Sequence, residues 1–113
     1  MYMQIVPPQR LKTELDKCTP VEIIDLQEPH KYAHSHIPCA MNVPVEEFDN
    51  GFEQHLKDKD AVVVLYGEFD ELGKGTKAAE KLEAAGYTKV GRLEGGLMGW
   101  KEAGYPTEGG IES

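Results

Sequence analysis

The six residues AVVVLY, at positions 61–66, restrict the fold of this chain more than any other segment. Consecutive β-branched and aliphatic residues of this kind favour an extended strand. Because no polar residue alternates with them, the strand is predicted to be buried on both of its faces. Such strands are typical of parallel sheets that carry helices on both sides.

Strand-forming and helix-forming segments alternate along the rest of the sequence. The predicted strands cover residues 4–6, 21–26, 40–43, 61–66 and 90–93. Helices are predicted at residues 10–17, 28–33, 76–85 and 97–103, with a weakly helical stretch at 45–56. Gly86 is well placed to end the helix at 76–85 in a left-handed conformation. The alternation predicts an α/β domain in which helices cover both faces of a parallel sheet.

Length and charge exclude several classes of protein. A chain of 113 residues is long enough to form one domain with its own core. The net charge of −8 argues against nucleic acids and anionic membranes as partners, because such partners require a basic surface. No apolar run is long enough to span a bilayer, and the first residues do not have the pattern of a signal peptide. We therefore expect a soluble, cytoplasmic protein whose partner is another protein or a small molecule.

Three segments together resemble a known protein family in their order and spacing. Residues 21–48 are similar to an apolar strand that ends in Asp-Val-Arg-Glu and is followed by Gly-His-Ile-Pro-Gly-Ala and Asn-Ile-Pro. Residues 61–66 resemble the strand before the family's active loop, and residues 76–106 resemble its closing helix, Leu-Glu-Gly-Gly turn and Trp-containing helix. The family is that of the rhodanese-like domains. The resemblance implies a three-layer sandwich, a five-stranded parallel sheet with helices on both faces, over residues 1–106. The last residues, 107–113, are predicted to form a flexible tail.

The resemblance also implies where the chemistry of such a domain would lie. In the family, the loop after the fourth strand holds a cysteine that carries a persulfide, surrounded by backbone N–H groups and usually an arginine. The helix N-terminus beside this loop lowers the pKa of the thiol. Here Gly67 stands at the expected nucleophile position, or Tyr66 if the alignment is one residue tighter, and Gly73 stands at the arginine position. We therefore expect no catalytic residue in this loop.

The loop itself is the predicted binding site. It comprises Gly67, Glu68, Phe69, Asp70, Glu71, Leu72, Gly73, Lys74 and Gly75. Its three carboxylates, against one lysine, would repel a bound anion, so the loop favours a cationic or neutral partner, with Phe69 as an apolar anchor. The alternative is a solvated connection that only caps the following helix.

Two cysteines provide an alternative location for the chemistry. Cys39 takes the place of a glycine in the family motif, at the sheet edge opposite to the loop, where we expect a small buried thiol. Cys18 follows the first predicted helix and is expected to be the more exposed of the two. A sulfurtransferase that uses Cys39 or Cys18 in a rearranged site is therefore the second hypothesis.

The histidines lead to a third hypothesis, a metal-binding accessory protein. His30 and His34 lie four residues apart, as an imidazole pair on one helix face requires, and His36 lies two residues further on. His36, however, occupies a family position at which structural hydrogen bonds are expected, and no cysteine or carboxylate completes an obvious tetrahedral set. We expect no tightly bound metal and no cofactor.

A further charged group of the family motif is absent after the second strand. Gln27 replaces the arginine that follows Asp25 in the family, so that an ion pair bracing the pocket is predicted to be lost. Together with Gly67 and Gly73, this replacement favours one interpretation above the others. The sequence predicts a rhodanese-like domain without sulfurtransfer chemistry, which acts as a binding or regulatory module.

Overall fold

The structure, a computed structural model, describes residues 4–18, 20–44, 58–69 and 72–110, with the backbone alone at 72–74. The helices in these ranges are α1 (Pro8–Asp16), α2 (Pro29–His34), α3 (Leu72–Ala84) and α4 (Gly96–Glu102). The strands are β1 (Gln4–Val6), β2 (Glu22–Asp25), β3 (Ser35–His36), β4 (Met41–Asn42), β5 (Val63–Tyr66), β6 (Val90–Leu93) and β7 (Glu108–Gly109).

Five of these strands form one parallel sheet in the order β1-β6-β5-β2-β4. β5 occupies the centre, where Val63 pairs with Val90 of β6 on one side and with Glu22 of β2 on the other. Every residue of β5 is buried. This is the burial that the uninterrupted apolar run predicts, and the predicted five-stranded parallel sheet is confirmed.

Alternate residues of the central strands contribute to two apolar cores, one on each face of the sheet. The core beneath α3 contains Ile24, Leu26, Val43, Val63, Leu65, Ala78, Ala79, Leu82 and Tyr87. The core beneath α1 and α4 contains Val6, Leu11, Ile23, Ile37, Ala40, Val64, Tyr66, Leu93, Leu97 and Trp100. Burial of this apolar surface drives folding, and its division between two layers confirms the predicted sandwich. No helix in the described ranges is long and apolar enough to cross a membrane.

The helices and strands lie close to their predicted positions, with one large difference. β6 has its predicted bounds, and Gly86 follows α3 with a φ of +105°. α3, however, begins at Leu72 rather than at residue 76, so that the helix includes Gly73 and Gly75. Glycine lowers helix propensity by only about 1 kcal/mol per residue, and packing of the helix against the sheet outweighs this cost. The weak helix predicted at 45–56 lies outside the described residues.

Part of the segment predicted as a flexible tail pairs with the domain instead. β7 runs antiparallel to β3, and the Gly110 N–H donates to the His34 carbonyl oxygen at 2.8 Å. Just before β7, the Trp100 indole N–H donates to the Pro106 carbonyl oxygen at 2.7 Å and holds the chain against the domain. Local composition rich in glycine and polar residues does not reveal such long-range contacts. Residues 111–113 lie outside the described part of the chain.

Gly109→Ala is expected to detach β7 from β3. Gly109 has a φ of +114°, and a Cβ atom there would lie 2.7 Å from the Ala33 carbonyl oxygen and 2.8 Å from that of His34. Gly110→Ala is the matched control, because Gly110 also has a positive φ, +87°, but no atom within 4 Å of an added Cβ. Amide hydrogen exchange in β3 should become faster in Gly109→Ala and stay unchanged in Gly110→Ala. Equal exchange in the two variants would contradict a role of β7 in holding β3.

Candidate functional site

The loop after β5 lies at the carboxyl edge of the parallel sheet. Ligands of such sheets bind outside the carboxyl ends of the strands, where the connecting loops open. Gly67 follows the last residue of β5, and the N–H of Leu26, which follows β2, donates to the Tyr66 carbonyl oxygen at 2.8 Å. The loop and the end of β2 are therefore held side by side at this edge.

The backbone of the loop packs directly on the start of α4. The N–H groups of Leu97 and Met98 donate to the carbonyl oxygens of Gly67 and Glu68, both at 2.9 Å. Gly96 permits this approach, because a Cβ atom there would lie 2.7 Å from the Gly67 carbonyl oxygen. Its φ of +60° also favours glycine. Backbone contacts thus fix the start of the loop, whatever side chains the loop carries.

A buried polar network lies at the end of β2. Asp25 is fully buried, and its carboxylate accepts the Gln27 backbone N–H at 2.7 Å and the Gln27 side-chain amide at 2.8 Å. The same amide also donates to the Ser35 carbonyl oxygen at 3.2 Å. Gln27 therefore replaces the ion pair of the family motif by neutral hydrogen bonds. The Gln27 side chain thus links Asp25 to the start of β3.

Burial shifts the pKa of two side chains in this network. It raises the pKa of Asp25 above the ordinary value of 3.8, and hydrogen bonds from Tyr66 and Gln27 oppose this only in part. Burial, followed by the nearby Asp25 charge, also raises the pKa of Tyr66. The Tyr66 hydroxyl hydrogen-bonds Asp25 and accepts the Ile37 N–H at 2.9 Å. Tyr66 is therefore a neutral donor that joins the end of β5 to the end of β2.

An open cleft of about 560 Å³ lies between α2 and α4, beside Glu68 of the loop. The Lys31 ammonium group of α2 reaches the Glu68 carboxylate at 3.0 Å, and both side chains are partly exposed. Such an exposed ion pair contributes only about 0–1 kcal/mol to stability. The other basic side chains that line the cleft are His30, His34 and Lys101, and its remaining lining residues are Gln27, Ala33, Ser35, Leu97 and Met98.

The structure brings the predicted binding residues together only in part. Phe69 is 55% exposed on the loop, which is the position that an apolar anchor requires. Gly75 is buried in α3, and a Cβ atom there would lie 3.9 Å from the Arg92 side chain. Asp70, Glu71 and the side chains of residues 72–74 lie outside the described part of the chain. Of the predicted acidic groups, Glu68 is described, and Lys31 pairs with it.

The histidine cluster divides between two environments. His30 and His34 are exposed and line the cleft. His36 stacks on Tyr32 with ring centroids 3.9 Å apart, and one of its ring nitrogens lies 2.7 Å from the Tyr32 carbonyl oxygen. The structural hydrogen bond predicted for His36 is thus confirmed. Within the described ranges, no group of three or more His, Cys, Asp or Glu side chains is placed to hold a metal ion.

Both cysteines are exposed, so the buried thiol predicted for Cys39 is wrong. Cys39 has a φ of +72° and stands in a turn in which the Ala40 N–H donates to the Ile37 carbonyl oxygen at 3.0 Å. The turn keeps the left-handed backbone that a glycine would adopt at this position, and it leaves the thiol in solvent. Neither thiol belongs to the described residues that line the cleft.

Two residues of the cleft belong to no motif in the sequence. Met98 and Lys101 line it from α4, which the family pattern marks only as a Trp-containing helix. Their outward position follows from the burial of Leu97 and Trp100 in the core, since a helix buries one face and exposes the other. A helical projection would have found these outward positions. Such a projection would not have shown that α2 forms the opposite wall of the cleft.

Comparisons with known proteins agree on one family. A family profile described as "Rhodanese-like domain" matches residues 7–103. The chain is 29% identical over 102 residues to protein slr1261 of Synechocystis, covering 90% of this chain and 54% of that protein. It is 28% identical over 90 residues to the thiosulfate sulfurtransferase GlpE of Shewanella oneidensis, covering 80% of this chain and 85% of that protein.

Solved structures show the same likeness. The rhodanese-like domain of the Alr3790 protein from Anabaena has a TM-score of 0.81 and 35% identity to this chain, covering 100% of this chain and 83% of that one. The chain spans about half or less of the length of the first curated relatives that it matches.

Gly96→Ala is expected to displace the loop from α4. The added Cβ would lie 2.7 Å from the Gly67 carbonyl oxygen on a backbone with a φ of +60°, so we expect a loss of about 2–4 kcal/mol in unfolding free energy. Gly75→Ala is the control, because its Cβ would make an ordinary contact with Arg92 and alanine favours a helix by about 0.5–1 kcal/mol. Urea denaturation measures both variants. Unchanged stability of Gly96→Ala would contradict this expectation, because the loop would then move away from the added Cβ atom without a loss of unfolding free energy.

Asp25→Asn is expected to remove a pH dependence of stability. Between 3.8 and its raised folded-state pKa, Asp25 holds a proton in the native state that the unfolded chain has released. The unfolding free energy of the wild-type protein should therefore fall as pH rises through this window. The asparagine side chain of the variant does not titrate. The unfolding free energy of the wild type minus that of the variant should therefore be largest at acid pH. Urea denaturation from acid to neutral pH measures this difference, and a difference that rises with pH would contradict the assignment.

Proposed function

The chain belongs to the rhodanese-like domain family. We propose that it is a catalytically inactive member that acts as a binding or regulatory module. Its relatives include thiosulfate sulfurtransferases at 24% and 28% identity. The proposal also includes a cytoplasmic location and a partner that is not a nucleic acid. The net charge of −8 supports the latter, because nucleic acids require a basic surface.

The observation that carries the proposal is the glycine directly after β5. Sulfur transfer in this fold needs a thiolate that takes a sulfur atom from a donor and releases it to an acceptor. Gly67 has no side chain with which to form the sulfur–sulfur bond, and Gly73 has no guanidinium group to hold the anion. The two positions that carry the family's chemistry are therefore both without functional groups.

The surface beside Gly67 supports a binding role. The carbonyl oxygens of Gly67 and Glu68 accept the N–H groups of Leu97 and Met98 at 2.9 Å, which holds the loop against α4. Phe69, next in the chain, is 55% exposed, and the adjacent cleft has the volume of a small-molecule site. These surfaces can bind a partner without any reaction.

The test of this proposal measures sulfur on the protein directly. Wild-type protein is incubated with thiosulfate, and its intact mass and its cyanide-dependent turnover are then measured. We expect neither added sulfur nor turnover, because the loop supplies no thiolate. Gly67→Cys should gain a thiol that can be modified but should turn over slowly without the arginine. Gly67→Ser is the matched control for the added side chain.

A persulfide on the wild-type protein would contradict the proposal. Its loss in Cys39→Ala or in Cys18→Ala would then identify the cysteine that carries it, and both thiols are exposed. The chain would in that case be a sulfurtransferase with a relocated site. Fast turnover by Gly67→Cys would instead show that the loop keeps a catalytic geometry from which only the thiol is missing.

A further inference from the structure

We propose that the cleft between α2 and α4 binds a small organic carboxylate, that is, a carboxylate group joined to an apolar body. This inference rests on the proposed function, because a domain without a reaction leaves the cleft to a ligand that is not a sulfur donor. It differs from the expectation drawn from the sequence, which favoured a cationic or neutral partner at the loop. The difference arises from side chains that only the fold brings together.

The first argument is the local charge of the cleft. Among its described lining residues, Lys31 and Lys101 carry positive charge and Glu68 carries negative charge. Glu68 lies 3.0 Å from the Lys31 ammonium group, so the two charges largely compensate each other. The Lys101 charge remains, and His34 adds an imidazole N–H donor, whereas the His30 ring lies 3.7 Å from the Glu28 carboxylate. The cleft is thus a basic concavity on a chain whose net charge is −8.

The second argument is that the Lys101 ammonium group has room to accept a ligand. It makes no ion pair or hydrogen bond with the described side chains, and it stands exposed in the last turn of α4. His34 lines the same cleft from α2, and its ring likewise makes no hydrogen bond or ion pair in the described part of the chain. A carboxylate that enters between the two helices can therefore accept charge-assisted hydrogen bonds without first breaking an existing pair.

The third argument concerns the rest of the ligand. Ala33, Leu97 and Met98 contribute apolar atoms to the cleft, and the Met98 side chain is exposed to an extent of 36%. Methionine adapts its shape to a ligand and contacts aromatic rings favourably. A volume of about 560 Å³ lies within the range of small-molecule sites. The cleft therefore offers contacts to the apolar body of the ligand in addition to its carboxylate.

Three probes that share a naphthyl body and carry polar groups of different charge test the inference. 1-Naphthoate is the anion, 1-naphthamide is the neutral analogue, and 1-naphthylmethylammonium is the cation. Each is titrated into the full chain, and the amide signals are followed by two-dimensional NMR. We expect shifts at Ala33, Ser35 and Met98, and a dissociation constant for naphthoate that is about tenfold lower than that for naphthamide. The cation should bind more weakly than either.

Two charge-reversal variants localise the effect. Lys101→Glu should weaken naphthoate binding about tenfold and leave naphthamide binding nearly unchanged. Lys77→Glu makes the same change of net charge on an exposed position of α3, and screening should limit its effect to less than about twofold. Lys101→Gln removes the charge without adding a repulsive one in the last turn of α4. It should give an intermediate loss, and it guards against a change in helix stability.

Three results would overturn the inference. These are equal binding of naphthoate and naphthamide, preference for the cation, and an equal loss of naphthoate binding in Lys101→Glu and Lys77→Glu. The thiosulfate experiment separates this inference from the proposed function. Absence of a persulfide together with absence of naphthoate binding overturns the inference alone. A persulfide on Cys39 together with naphthoate bound at Lys101 overturns the proposed function alone.

Discussion

The buried carboxyl group of Asp25 holds together the sheet edge at which the site lies. It is hydrogen-bonded by Gln27 beyond β2 and by Tyr66 at the end of β5. Asn42 of β4 donates to the backbone carbonyl oxygens of Asp25 and Gln27 at 3.1 and 2.9 Å. An unpaired polar group in this interior would cost about 1–3 kcal/mol, so each partner restricts the positions of the others. This network fixes the ends of three strands relative to one another. The shape of the cleft beside them depends on these fixed positions.

The contrast between total charge and local charge decides which ligand this domain suits. A net charge of −8 describes the electrostatic field at a distance from the domain. Within a cleft, however, a ligand responds first to the groups within a Debye length of about 10 Å. The described charges that line the cleft are those of Lys31, Glu68 and Lys101, and the Glu28 carboxylate lies 3.7 Å from the lining residue His30. An acidic protein can thus present a basic site, provided that its carboxylates lie elsewhere or are paired.

The sequence predicts the sheet well because its pattern is local, and an uninterrupted apolar run identifies β5 as the centre. Failures arose where local rules compete with packing. Glycines suggested a loop at residues 72–75, although the helix begins there, and Cys39 was assigned to the core, although its turn leaves it in solvent. The cleft could not be predicted, because Lys31 and Lys101 lie on different helices and share no motif or spacing. Their approach depends on how the two helices pack, α4 through the buried Leu97 and Trp100 and α2 through the partly buried Tyr32.

The pairing of β7 with β3 has a mechanical consequence. A pulling force transmitted through Gly110 would act first on this two-residue ladder, because it lies between that point and the rest of the domain. β7 runs antiparallel to β3, so such a force would peel the ladder open one hydrogen bond at a time. β3 directly follows α2, and tension would therefore reach the wall of the cleft before it reached the five-stranded sheet. Loss of the ladder would free the carbonyl oxygen of His34, which lines the cleft, and would leave every pairing of the five-stranded sheet in place.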